Sequence, residues 1–144
     1  MQNFLFFFRP STIRLYFNAA ESIRQTLSII ETNILADGVC IELQGDMNVE
    51  LFGVKNEYMQ VWLNIMNNAM HAFDQKNVEK RKIIVTIDSE KITFCDNAKG
   101  KISDEDLVKG VGLSMCRTIL KKYDKTLSFS NTPQGVCVEI LLKA

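Results

Sequence analysis

Six polar side chains fall on one side of the apolar stretch 56–75, and none belongs to Lys, Arg, Asp or Glu: Gln60, Asn64, Asn67, Asn68, His71 and Gln75. A solvated helix face usually bears long charged side chains, whereas asparagine is a poor helix former that competes for its own backbone. Three asparagines within five residues therefore ask for a role. Amide oxygens turned into a cleft can ligate a hard cation such as magnesium, and an imidazole beside them can meet a phosphate. The plainer alternative is polar contact with a neighbouring segment or with buried water.

Two later stretches carry chemistry of a complementary kind. Asp96-Asn97-Ala98-Lys99-Gly100 follows directly on the apolar run KITFC, so a carboxylate stands at a strand end, with small residues after it that let backbone approach a flat ligand. An ionised carboxylate only accepts hydrogen bonds, and the exocyclic amine of adenine is a fitting donor. An ordinary Asp-Asn turn is the alternative there. Gly110-Val111-Gly112-Leu113-Ser114 opens a helical stretch. Glycines at a helix start expose backbone N–H groups at the positive end of the dipole, a cradle for phosphate, although a plain loop-to-helix turn has the same letters.

The elements that must position these groups follow from periodicity. Val61, Ile65, Ala69 and Ala72, widened by Trp62, Met66, Met70 and Phe73, make a mostly buried helix of the central stretch. Upstream, residues 11–17 alternate and read as extended. Asn18 can then cap a helix with Glu21 three residues on, and Ile23, Leu27, Ile30 and Ile34 form its buried stripe until Asp37 and Gly38 end it. Residues 39–43 and 49–52 read as strands joined around Gly45 and Asp46. Downstream, IIVTI and KITFC form an antiparallel hairpin that delivers Asp96, a helix runs over 112–123, and TLSFS pairs with VCVEILL about Thr132 to Gly135. This order predicts an α+β two-layer sandwich, a mixed β-sheet covered on one face by three helices.

Composition narrows the function classes. The chain has 144 residues, 47% of them hydrophobic, enough to bury a real core as one domain without disulfides or metals. Its 17 basic and 17 acidic residues are well mixed, which argues against a nucleic-acid or membrane-surface footprint, so any phosphate site must be local. Cys40, Cys95, Cys116 and Cys137 are widely spaced inside apolar runs and are expected to pack as small hydrophobes in a reducing cytoplasm. The run Phe4 to Phe8 is too short to span a bilayer.

Taken together, N-x-x-x-N-A from Asn64, D-N-A-x-G from Asp96 and G-x-G-L from Gly110 resemble the asparagine box and two glycine boxes of the ATP-binding catalytic domain of sensor histidine kinases. That family belongs to the wider Bergerat-fold, or GHKL, superfamily, which includes gyrase and MutL. The resemblance implies ATP and Mg2+ as ligands. Asn68 would be the magnesium ligand, and Asn64 and His71 would stand near the phosphates as the catalytic pair. Asp96 would take the adenine amine with Ala98 and Gly100 beside the base, and Gly110, Gly112 and Leu113 would line the phosphates. Residues 1–17, with their FFRP, resemble the end of a dimerisation and phosphotransfer hairpin, and 18–144 the catalytic domain. The implied partners are a histidine-bearing dimerisation domain of the same protein and a response regulator, with the membrane reached only through the remainder of a parent protein and the domain itself in the cytoplasm.

Departures from that pattern define the alternative. Ala98 replaces a glycine, Lys101 follows Gly100 where an aliphatic residue is usual, Ser114 replaces a glycine, and Val136 follows Gly135 where a threonine is often found. The stretch between Asp96 and Gly110 is far shorter than the family's lid; Ser103 and Asp106 can cap a short helix there. A degenerate, lid-less nucleotide-binding domain or pseudokinase working by protein contact is therefore the second reading. A serine kinase that regulates sigma factors is disfavoured by the FFRP segment. Gyrase-like ATPases carry a glutamate where Asn64 stands, and an amide is no general base, so steady ATP hydrolysis is not expected. Phosphoryl transfer needs mainly positioning and charge neutralisation.

Overall fold

The computed structural model describes residues 13–99 and 111–143. The Phe4–Phe8 run, the FFRP segment, Gly100, Gly110 and the Ser103–Asp106 pair lie outside the described residues. Along the rest, the order is β1 (Leu15–Asn18), α1 (Ala19–Ile29), α2 (Glu31–Ala36), β2 (Val39–Gly45), β3 (Glu50–Gly53), α3 (Lys55–Lys76), β4 (Arg81–Ile87), β5 (Lys91–Asp96), α4 (Val111–Lys121), β6 (Thr126–Asn131) and β7 (Val136–Leu141).

Five strands form one sheet in the order β2-β4-β5-β7-β6, parallel between β2 and β4 and antiparallel elsewhere. Side chains alternate between its faces. Ile83, Val85 and Ile87 of β4, Ile92 and Phe94 of β5, and Val138 and Ile140 of β7 are buried. The intervening positions carry the ion pairs Lys82–Glu42 at 2.9 Å and Lys91–Glu139 at 4.0 Å. One face is thus dry and covered by helices, the other is wet, and the expected two-layer α+β sandwich with a mixed sheet is what forms.

The middle of the helical layer is α3, flanked by α1 and α4. Its residues Tyr58, Val61, Trp62, Ile65, Met66 and Phe73 are all buried, each large apolar side chain contributing about 1.5–3 kcal/mol. Trp62 packs on Phe94 at 5.7 Å and on Tyr58 at 5.9 Å between ring centroids, and its indole N–H donates to Ser22 Oγ at 3.0 Å. On α4, Leu113, Cys116, Ile119 and Leu120 are buried as their spacing predicts.

Three expectations are corrected. The helix expected to run on to Ile34 is broken at Ile30, which leaves helical geometry at φ −103 and ψ 13, so four helices stand among the described residues. Thr26 and Ser28 hydroxyls donate back to the carbonyls of Ser22 and Arg24, a pattern that weakens a helix just before the break. The Asn18 cap itself forms, its Oδ1 accepting the Glu21 N–H at 2.8 Å. Second, β2 and β3 follow each other in the chain without pairing: β2 lies parallel to β4, and β3 pairs with β1 in a separate two-stranded ribbon. Third, only Cys116 is a buried free thiol; Cys40 is exposed, and Cys95 is joined to Cys137 as a disulfide. An apolar run hides the strand alternation, and Cys40 and Cys95 sit on the wet side of β2 and β5, next to the buried Val39 and Phe94.

Candidate functional site

The second half of α3 does not close onto the sheet. Between them lies a cavity of about 580 Å³, a volume suited to a small-molecule ligand. Asn68, His71, Gln75 and Lys76 line it from the helix, Phe94 and Asp96 from β5, Val136 and Val138 from β7, and Leu113 from α4. Four of the predicted site residues, Asn68, His71, Asp96 and Leu113, therefore share one wall-to-wall space. Asn67 is exposed and does not line it.

Asp96 sits where β5 leaves the sheet. Burial raises its carboxyl above the ordinary 3.8, against two backbone N–H groups that favour the ionised form. Those donors are Ala98 at 3.0 Å and Val136 at 3.3 Å, both bonding Oδ1. Ala98 is fully buried and reaches the site through its backbone, so its small side chain is what the position requires. Gly135 is equally constrained by proximity, since a Cβ there would lie 2.4 Å from both the carbonyl oxygen and Oδ1 of Asp96. Asn97 braces the turn from the other side: its Oδ1 accepts the Lys82 N–H at 2.8 Å and its Nδ2 donates to the Lys80 carbonyl at 2.7 Å.

Asn64 stands one helical turn behind Asn68, outside the cavity lining. Its Nδ2 is buried without a hydrogen-bond partner, beside the Cys116 sulfur, a weak acceptor whose thiol burial pushes up to about 11. Gly112 brings the start of α4 against both asparagines: a Cβ on it would lie 3.8 Å from Asn64 and 4.0 Å from Asn68 Nδ2. Those are ordinary contact distances, so the start of α4 lies close against the asparagine face of α3.

Several lining residues escaped the sequence reading. Lys76 continues the ladder Asn68, Ala72, Lys76 at steps of four, so helical spacing alone was a usable signal for it. Val136 and Val138 enter because β7 lies next to β5, which no local pattern announces. Among the described residues no cluster of three or more His, Cys, Asp or Glu side chains offers a metal cage. A cation here would be held by the Asn68 amide oxygen together with ligand oxygens and water, the donor set magnesium accepts, and the exposed Asn68 side chain on the cavity wall fits that arrangement.

No family model and no curated protein matches the chain by sequence. Solved structures do match by shape. The nucleotide-free catalytic domain of the histidine kinase ThkA superposes with a TM-score of 0.77 at 21% identity, over 91% of this chain and 95% of that one. The Acinetobacter baumannii histidine kinase AdeS gives 0.75 at 18% identity, over 93% of this chain and 68% of that one. The cytoplasmic segment of the histidine kinase QseC gives 0.74 at 14% identity, over 97% and 87%. The chain has the fold of these catalytic domains.

Proposed function

We propose that this chain is the ATP-binding catalytic domain of a sensor histidine kinase, which presents the γ-phosphoryl group of Mg-ATP to a histidine on a separate helical domain. The observation that carries the reading is the desolvated Asp96 carboxylate on the wall of a cavity of about 580 Å³ whose opposite wall is the Asn68–His71 face of α3. Oδ1 is occupied by the Ala98 and Val136 N–H groups, so Oδ2 is the acceptor offered to the adenine amine. The apolar walls at Phe94, Val136 and Val138 exclude water from the base. Asn68, backed by Asn64, holds magnesium, which neutralises phosphate charge when bound. His71 and Lys76 face the phosphates, and the described Gly112, with Gly100 and Gly110 by resemblance, borders base and phosphates.

Residues 1–17 are assigned to the end of a dimerisation and phosphotransfer hairpin, and 18–144 to the catalytic domain. A histidine-bearing dimerisation domain of the same protein and a response regulator are the partners this assigns, in the cytoplasm. No described helix is long and apolar enough to cross a membrane. Calorimetric titration with ATP, ADP and a non-hydrolysable analogue, with and without magnesium, tests the reading: adenine nucleotides bind, and magnesium strengthens ATP. Absence of binding defeats it. The chain alone incorporates no phosphate from labelled ATP, because His71 is its one histidine and belongs to the binding wall. The shortness of the stretch from Asp96 to Gly110 favours a second reading, a lid-less pseudokinase, which a full-length protein that binds ADP but never autophosphorylates would support.

A further inference from the structure

Cys95 and Cys137 are directly opposed partners at the end of the β5–β7 ladder, with Cα atoms 4.1 Å apart and their sulfurs joined. Asp96 is the next residue along β5, and Val136, whose N–H donates to Asp96 Oδ1 at 3.3 Å, is the neighbour along β7. Thus the covalent link sits one residue from the proposed adenine carboxylate on one strand and one residue from its hydrogen-bond donor on the other. Both cysteines are half-buried and lie on the wet face of the sheet, where a second cavity of about 260 Å³ is bordered by the two of them with Lys82, Thr132 and Gln134. Asp96 borders this cavity as well as the nucleotide cavity, and a small thiol reagent can reach the sulfurs from it.

We propose that Cys95 and Cys137 form a reversible thiol–disulfide pair whose redox state sets the affinity of the adjoining adenine site. The inference rests on the nucleotide reading of Asp96 and on its cytoplasmic setting, where a disulfide is transient or sensing rather than structural. When joined, the pair pins together the strand positions that hold Asp96. The Gly135 tip rides against the carboxylate, with room for no side chain between them. When parted, antiparallel partners relax toward about 4.5–5.5 Å between Cα atoms, and the 3.3 Å Val136 bond is the first contact to lengthen. Asp96 then loses one of the donors that orient it.

Oxidation proceeds by exchange with a small-molecule disulfide such as oxidised glutathione. One cysteine thiolate attacks the reagent and expels a glutathione thiol; the second attacks the mixed disulfide and expels the other. The reagent's S–S bond breaks, the protein's forms, and the two thiol protons end on the released glutathione molecules. The test equilibrates the full chain with oxidised glutathione or with dithiothreitol, counts free thiols by alkylation and mass spectrometry, and titrates ADP and Mg-ATP by calorimetry. The oxidised chain binds ADP about five- to tenfold more tightly, the gain expected from preorganising one carboxylate. Cys137→Ser removes the difference and Cys40→Ser keeps it. Equal affinities of the oxidised and reduced wild-type chain, or a pair that stays alkylatable in oxidised glutathione, overturn the switch while the adenine reading stands. No nucleotide binding by either form overturns both.

Discussion

In the first half of α3, Tyr58 and Trp62 are fully buried, whereas in the second half Asn68, His71 and Gln75 are exposed along the cavity. The first half is locked from every side. Tyr58 stacks on Tyr123 at 5.0 Å, Trp62 bridges α1 and β5, and Glu57 accepts hydrogen bonds from Lys122 at 2.6 Å and from the Tyr123 hydroxyl. The second half buries Met66 and Phe73 on its apolar face and leaves its polar face free along the cavity. One helix therefore carries both the core and the site, and packing at one end positions amides at the other about two to three turns away.

The two halves depend on each other most at Trp62. Trp62→Ala removes the contacts to Tyr58 and Phe94 and the indole N–H that the Ser22 hydroxyl oxygen accepts; a loss of about 3–5 kcal/mol in folding stability is expected by urea denaturation. Nucleotide binding falls with it, as a consequence of unfolding. A loss of stability that leaves the affinity of the folded protein unchanged would show that the two halves are not coupled through the core.

Asp96→Asn separates the halves in the opposite way. Binding of ATP and ADP is expected to weaken by at least about 2 kcal/mol, since an amide can turn its NH2 toward the adenine donor, while the fold persists. The carboxyl's raised value means that its ionised form is penalised in the folded state: the stability linked to it is present below the ordinary 3.8 and is lost as pH rises through the higher folded value. The amide variant is therefore no less stable than the parent near neutral pH. In the parent, nucleotide affinity falls as pH drops through the raised value and the carboxylate protonates. Undiminished affinity in Asp96→Asn removes the chemical support for an adenine site.

Asn68→Ala is a finer probe. It should leave stability nearly unchanged, because the side chain is exposed, and cut the magnesium-dependent part of ATP affinity at least about tenfold, a loss seen even for groups that only support a metal ligand. A variant that keeps the full magnesium effect would move the cation away from α3.

The smallest effect lies at Glu57. Burial alone would raise its carboxyl, but hydrogen bonds from Lys122 and Tyr123 outweigh that and hold it below the ordinary 4.5. Its contribution is therefore present above 4.5 and lost as pH falls through the lower folded value. Glu57→Gln is expected to cost about 0.5 kcal/mol near neutral pH, as for a largely solvated pair, and nothing once both forms are protonated. A pH-independent difference would assign the effect to packing instead of charge.

Much of this was legible in the chain itself, and for a local reason. The apolar arc and polar stripe of α3, the Asn18 cap, the left-handed Gly38 at φ 65 and the carboxylate at the exit of β5 each depend on residues within a turn or a strand of one another. The backbone preferences that produce them act over that range. The pairing of strands does not, because it is decided by which apolar faces can be buried together across long stretches of chain. Only the tertiary structure could place β2 parallel to β4, send β3 to β1, bring Val136 and Val138 into the cavity, and set Cys95 opposite Cys137 across a separation of 42 residues. The residue types of the site were written in the sequence, and the cavity they share came from register.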